Sequence, residues 1–292
     1  MNTLNTEYPK KELTNEELAQ LAAAKYEQTN ADAPIKSNYQ FPTEIIELPS
    51  QGHFYPVDSP LATGRVEMKY MTAKEEDILT TQSYIKQGVV IDKLLQSLII
   101  GNGEGKRVNI NELLIGDKNA LVIAARVLGY GKDYEIEVTT PSGNKQKETI
   151  DLTQFEAKEI DFSLTAKGAN RFSFQLPASK RTVEVKLLTQ KDTDAIETEM
   201  KSLKKNKIGS GTDTILSTTM IHTIVSVDGD ESQSAIRGFV NNMLAIDSRA
   251  LRSFINSIKP DIDLTCNLVD NETDEPFTIT LPLSVNFFWP GA

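Results

Sequence analysis

The chain has 292 residues, 39 % of them hydrophobic and 25 % charged, and carries a formal net charge of −10 at pH 7. These proportions exclude a wholly disordered or fibrous polypeptide and leave room for one large domain or two smaller ones. The acidic balance argues against a protein that neutralises nucleic-acid phosphates, which requires a clustered basic face.

Residues 1–40 are polar and charged and read as an arm, because such a composition buries too little surface to offset the entropy of ordering. Within it NEELAQLAAAKYEQ repeats Leu18, Leu21, Ala22 and Tyr26 near helical spacing, so the alternatives are a short helix formed on a partner and a solvated tail. Residues 41–133 form a strand-fronted helical domain. FPTEIIELPSQGHFYP suggests a short strand turned by Pro49, and GRVEMKYMT alternates as a half-buried strand does. Thr72 and Glu75 fit a capping box opening TAKEEDILTTQSYI as one helix, and GVVIDKLLQSLII places Leu94, Leu95, Leu98 and Ile99 on one helical face. After the polar loop GNGEGKRVN and INELLI, Asp117 is expected to cap KNALVIAARVLGYG, with Leu121, Ala124, Ala125 and Leu128 as its buried stripe and Gly129 as its stop.

Residues 134–188 read as a β-hairpin region: YEIEV and KETIDL around TPSGN, then RFSFQL and RTVEVKLL around PASK. Residues 189–260 read as helical. Thr189 with Asp192 opens QKDTDAIETEMKSLKKNKI, Gly209 and Gly211 break it, and TDTILSTTMIHTIVSV, QSAIRGFVNNMLAI and SRALRSFINSI follow, the last capped by Asp247. Residues 261–292 close the chain with paired strands around NETDE and an aromatic tail, SVNFFWPGA. The whole predicts an α+β fold.

Candidate chemistry is sparse. GNGEGKR lacks the Gly, Lys and Ser/Thr spacing of a phosphate loop and reads as a surface loop. Cys266, His53 and His222 are too far apart for a zinc ribbon. The single cysteine forms no intramolecular disulfide, fits a reducing compartment, and stands on the buried face of a strand as a small hydrophobe rather than a nucleophile. His222, flanked by Ile221 and Ile224, reads as a core-edge or surface residue. DGDES is better read as a helix N-cap at Asp230 or Ser232 than as a calcium loop. The acidic runs KEEDIL, DGDES and VDNETDEP read as solvated turns, with a pocket of dispersed carboxylates as the enzyme alternative. No catalytic, cofactor or metal residues are assigned. No run approaches the roughly 18–20 apolar residues of a membrane span, and MNTLNTEYPKKEL lacks the apolar core of a signal peptide. What stands out is aromatic: Phe54 and Tyr55 in ELPSQGHFYPVDSPL, and Phe287, Phe288 and Trp289 at the end. Their alternatives are core filling and anchorage at an interface with another subunit.

LPSQGHFYP, VEMKYMTAKEEDIL with DKLLQSLI, GDKNALVIAARVLGYG and the terminal NFFWP together resemble the T4-type bacteriophage baseplate hub protein family. The likeness spans about Glu47 to Tyr134 and returns at the terminus. The resemblance implies a non-catalytic component of the baseplate hub of a contractile-tailed phage, in the virion tail after assembly in the host cytoplasm. Its partners would be other hub or tail proteins, with self-association open, no nucleic acid and no cofactor. The family name also covers hub-assembly factors, so a transient chaperone is the alternative. On this reading the proline-bounded His53, Phe54, Tyr55 loop presents aromatic area at a packing surface.

Overall fold

Alternating strands, helices and hairpins of the expected α+β kind make up the structure, a computed structural model that describes residues 42–205 and 214–288. β1 (Thr43–Glu47) pairs antiparallel with β2 (Arg65–Lys69), which pairs with β3 (Ile99–Gly101). Between β2 and β3 run α1 (Ala73–Thr80), α2 (Gln82–Gln87) and α3 (Val90–Leu98). α4 (Ile115–Tyr130) leads to the hairpin β4 (Asp133–Thr139) and β5 (Lys145–Asp151).

The same order then recurs. β6 (Phe172–Gln175), β7 (Thr182–Val185) and β8 (Ile224–Val227) form a second antiparallel sheet. α5 (Gln190–Lys205) and α6 (Ile215–Thr223) lie between β7 and β8, followed by α7 (Gln233–Asn241), α8 (Ala245–Ile258) and the hairpin β9 (Thr265–Val269) and β10 (Pro276–Thr280). Register agrees residue for residue: Glu47 faces Arg65 as Gln175 faces Thr182, and Met68 faces Ile99 as Val185 faces Ile224. Both central strands shift register at the matching step, Glu67/Met68 and Glu184/Val185. Sequence follows structure, since VEMKYMTAKEEDIL aligns with VEVKLLTQKDTDAI and LLIGDKNAL with MLAIDSRAL. The chain therefore carries one β-β-helix-β-helix-hairpin unit twice.

Each unit is pinned at the start of its first helix by the same chemistry. Thr72 donates its N–H and hydroxyl to Glu75 (3.0 and 2.6 Å) and Lys69 Nζ donates to the other oxygen at 2.8 Å. Thr189 donates likewise to Asp192 (3.0 and 2.9 Å), which also holds Lys186 Nζ at 2.6 Å. Both expected caps are thus present. Burial alone would raise the Glu75 pKa, but the hydrogen bonds from Lys69, Thr72 and Ser97 overcome it and hold the carboxyl at about 2.

Several boundaries differ from those expected from sequence. TAKEEDILTTQSYI is two helices broken at Thr81, whose hydroxyl donates to Asp77 O (2.7 Å) and competes with the helical ladder. Ile99 leaves the helix of Leu94, Leu95 and Leu98 to enter β3. α4 runs through Gly129, which lies against Met71, and stops at Gly131 where φ is +84°. The run ILSTTMIHTIVSV divides into α6 and β8, a continuous apolar stretch that periodicity cannot divide. QSAIRGFVNNMLAI ends as a helix at Asn241 and Ser232 caps it, its hydroxyl accepting from Ala235 N at 3.3 Å. The arm, Gly209, Gly211 and Trp289 lie outside the described residues.

α4 is the central helix, with Leu121, Val122, Ile123 and Ala125 all buried in one core shared by both units. Its start is threaded into the second unit: Ile115 N donates to Leu188 O (3.2 Å) and Gln190 N to Leu113 O (2.8 Å). A Cβ on Gly116 would stand 1.6 Å from Pro260 O, so no other residue fits there. Gly116→Ala is therefore expected to cost about 3 kcal/mol in urea unfolding. Gly238→Ala, in open space on α7, should gain about 0.5–1 kcal/mol. Equal effects would contradict the close approach. Glu75 predicts a pH dependence as well. Its pKa is depressed on folding, so its contribution is full above the unfolded value and is lost as pH falls toward about 2. Between about pH 5 and pH 3 the wild type should lose more unfolding free energy than Glu75→Gln.

Candidate functional site

The first unit differs from the second in one large feature. Leu48 N bonds Gly64 O (2.8 Å) where Leu176 N bonds Arg181 O (2.9 Å), so equivalent strand ends are joined by a long loop in one unit and a tight turn in the other. That loop holds SQGHFYPVDSPLAT, the stretch singled out from sequence. It turns at Gly52, where φ is +74° and a Cβ would meet Ala62 O at 2.5 Å.

What fastens the loop is Asp117, in the first turn of α4 and fully buried. One carboxylate oxygen accepts from Ser50 N at 2.9 Å; the other accepts from Ser50 Oγ and from the Tyr55 hydroxyl, each at 2.6 Å. The Tyr55 oxygen in turn accepts from Leu114 N at 2.9 Å, satisfying the backbone where α4 begins. Asp117 is thus not the expected helix cap; Leu114 holds that position, and the carboxylate serves the loop instead. Burial raises the Asp117 pKa above the ordinary range, against the hydrogen bonds from Ser50 and Tyr55 and with help from the nearby charge of Asp261. The Tyr55 phenol is pushed well up by burial and by Asp117. Asp247 does the same work in the second unit, accepting from Ala178 N (2.8 Å) and Ser179 N (3.0 Å) at the start of α8, where Leu244 rather than Asp247 is the cap.

Phe54 and Tyr55 are 2 % and 4 % exposed, and Phe287 and Phe288 are each 1 % exposed. Phe54 packs on Phe162 and Phe172 with ring centroids 5.8 and 5.5 Å apart. Phe287 packs on Tyr134 at 5.0 Å. The expectation of aromatic area presented at a packing surface is corrected here: the core-filling alternative describes these four rings in the chain as it stands. Aromatic rings in a proline-bounded stretch stand out in the sequence, which does not show that the loop between Leu48 and Gly64 folds back onto the start of α4. His53 is held inside the same loop, its Nε2 3.1 Å from Thr165 O.

The other reactive groups are dispersed. His222 Nε2 meets Glu199 at 2.9 Å, and Glu199 also takes Arg237 at 2.8 Å. Cys266 is buried, its thiol pKa raised by burial. Among the described residues no group of three or more His, Cys, Asp or Glu could hold a metal ion, and no helix is long and apolar enough to cross a membrane. In the GNGEGKR loop Asn102 Oδ1 accepts from Glu104 N and Lys106 N, so the Asn102 side chain orders the backbone. A groove of about 410 Å³ with a mainly apolar lining runs where α4 enters the second unit, between Leu188, Met220, Ile255 and Pro260. What the described residues bring together at the loop is fixed backbone: Ser50 and Tyr55 on Asp117, and Leu114 on Tyr55. Sequence reading missed Asp247 as the counterpart of Asp117; the matching LPS and LPA turns and the two helix starts carried that signal.

Residues 42–289 match a protein family described as T4 bacteriophage base plate protein. No curated protein and no solved structure matches the chain.

Removing the Tyr55 hydroxyl strands a buried N–H, and Asp117→Asn replaces an acceptor with a donor. Tyr55→Phe should cost about 1–3 kcal/mol and Asp117→Asn about 2–3 kcal/mol in denaturant unfolding. The double variant should cost less than the sum, since both act on one network. Additive losses would contradict the shared network.

Proposed function

The chain belongs to the T4 bacteriophage base plate protein family, and on that premise we propose that it is a structural component of the base-plate hub of a contractile-tailed phage. It is made in the host cytoplasm, joins other hub or tail proteins through protein–protein interfaces, and stays in the virion without catalysing a reaction. The observation that supports this most is the extent of the match. Residues 42–289 take in both units, so the family property belongs to the whole double unit and not to one motif. The physical reading agrees in kind: the buried network spends its hydrogen-bonding capacity on holding a rigid shape, which is what a subunit fitted among neighbours requires.

Phe54 and Tyr55 then influence assembly through the shape they maintain. Trp289, beyond the described residues, remains the aromatic assigned to an interface with a neighbouring subunit.

Quantitative mass spectrometry of purified phage particles should find the chain in fixed ratio to other base-plate proteins. Its absence from particles, with abundance in infected-cell lysate, would replace this proposal with a transient hub-assembly chaperone. Phe54→Ala with Tyr55→Ala should lower both the unfolding midpoint and incorporation into particles. Loss of incorporation at an unchanged midpoint would instead assign the rings to a partner contact.

A further inference from the structure

The contact between the two units runs in one direction. The start of α4 in the first unit docks on the β7–α5 junction of the second, where Leu114 pairs with Thr189 as an isolated bridge through the bonds from Ile115 to Leu188 and from Gln190 to Leu113. Because the units are alike, each owns both halves of this contact. The reciprocal contact is not made.

The unused halves are visible. Leu114 is 2 % exposed, but its counterpart Leu244 is 53 % exposed, and Ile246, standing where Gly116 does, is 61 % exposed. On the other side Gln190 is 5 % exposed while its counterpart Ala73 is exposed. Backbone groups repeat the pattern. Among the described residues, Met243 C=O, Ala245 N–H, Met71 C=O and Ala73 N–H have no backbone partner, and these are the counterparts of the four groups bonded between the units. Like units joined head to tail leave one open surface of each kind, and such contacts build rings when the rotation closes and filaments when it does not.

We propose that a second copy of this chain occupies these surfaces, the Met243–Ile246 end of one copy docking on the Met71–Ala73 junction of the next. Ala245 N–H then meets Met71 C=O and Ala73 N–H meets Met243 C=O, as Ile115 and Gln190 do within the chain. The fit differs in one place: Ile246 stands where Gly116 does, and the docked Ile246 side chain faces the C-terminal turn of α4, which continues as helix to Tyr130, in place of the Pro260 backbone that excludes a Cβ beside Gly116. The proposal takes its setting from the base-plate reading, but it is tested on the purified chain alone, so either can fail without the other.

The test is sedimentation of the full-length chain over a concentration series in about 0.3 M salt, where repulsion between copies of net charge −10 is screened. The wild type should associate with increasing concentration. Ile246→Asp and Ala73→Arg, both at exposed positions, should each keep the wild-type unfolding midpoint and weaken association at least tenfold. Mixed together, the two variants should form a one-to-one dimer and nothing larger, because Ala73→Arg keeps its Ile246 end and Ile246→Asp keeps its Ala73 junction. A wild type that stays monomeric, variants that associate like wild type, or a mixture that stays monomeric would each overturn the proposal. Capture of a different tail protein that is lost in Ile246→Asp, with no self-association, would do so too and would give the surface to that partner.

Discussion

A buried carboxylate in the first turn of a helix, reaching across to the turn that leaves the preceding strand, is the constraint on which this structure rests. Asp117 performs it in the first unit and Asp247 in the second. A charge removed from water must be repaid by hydrogen bonds, and Asp117 accepts three, so the turn, the tyrosine and the helix start are fixed together. The helix N-terminus favours the negative charge as well. Once that geometry is set, the antiparallel sheet, the helices between its strands and the following hairpin take the same places twice.

The two units differ in complementary ways. The first joins its two strands by a long loop whose aromatic rings fill the core, and its α4 start is buried under the second unit. The second has a short turn there, and the start of α8 is open, with Leu244 and Ile246 exposed. The one-way contact between like units is the pattern on which the proposed docking of a second copy is built.

Much of this was legible from the residues. The Thr72/Glu75 and Thr189/Asp192 caps, both hairpins of residues 134–188 and the buried faces of Leu94, Leu95, Leu98 and Leu121 follow from short-range rules and are present. The family resemblance is matched over residues 42–289, and two of the stretches that suggested it, LPSQGHFYP and GDKNAL, meet in the structure: Ser50 and Tyr55 bond Asp117 across more than sixty residues, a pairing that local pattern does not carry. IVSV was read as helix because an apolar run has no period of its own, and only pairing with β7 makes it a strand. The repeat itself was written in VEMKYMTAKEEDIL and VEVKLLTQKDTDAI, but hydrophobic periodicity reads each segment in isolation. The burial of Phe54 and Tyr55 was hidden because an aromatic residue beside proline looks the same in sequence whether it faces a neighbour or its own core.

Hydrogen exchange at the Ser50 and Leu114 amides tests the central constraint most directly, since one donates to Asp117 and the other to the tyrosine that Asp117 holds. If the buried carboxylate fastens the fold, both amides exchange only through global unfolding, with the protection of the α4 core. Exchange at the rate of an exposed loop would show that the carboxylate holds nothing in place.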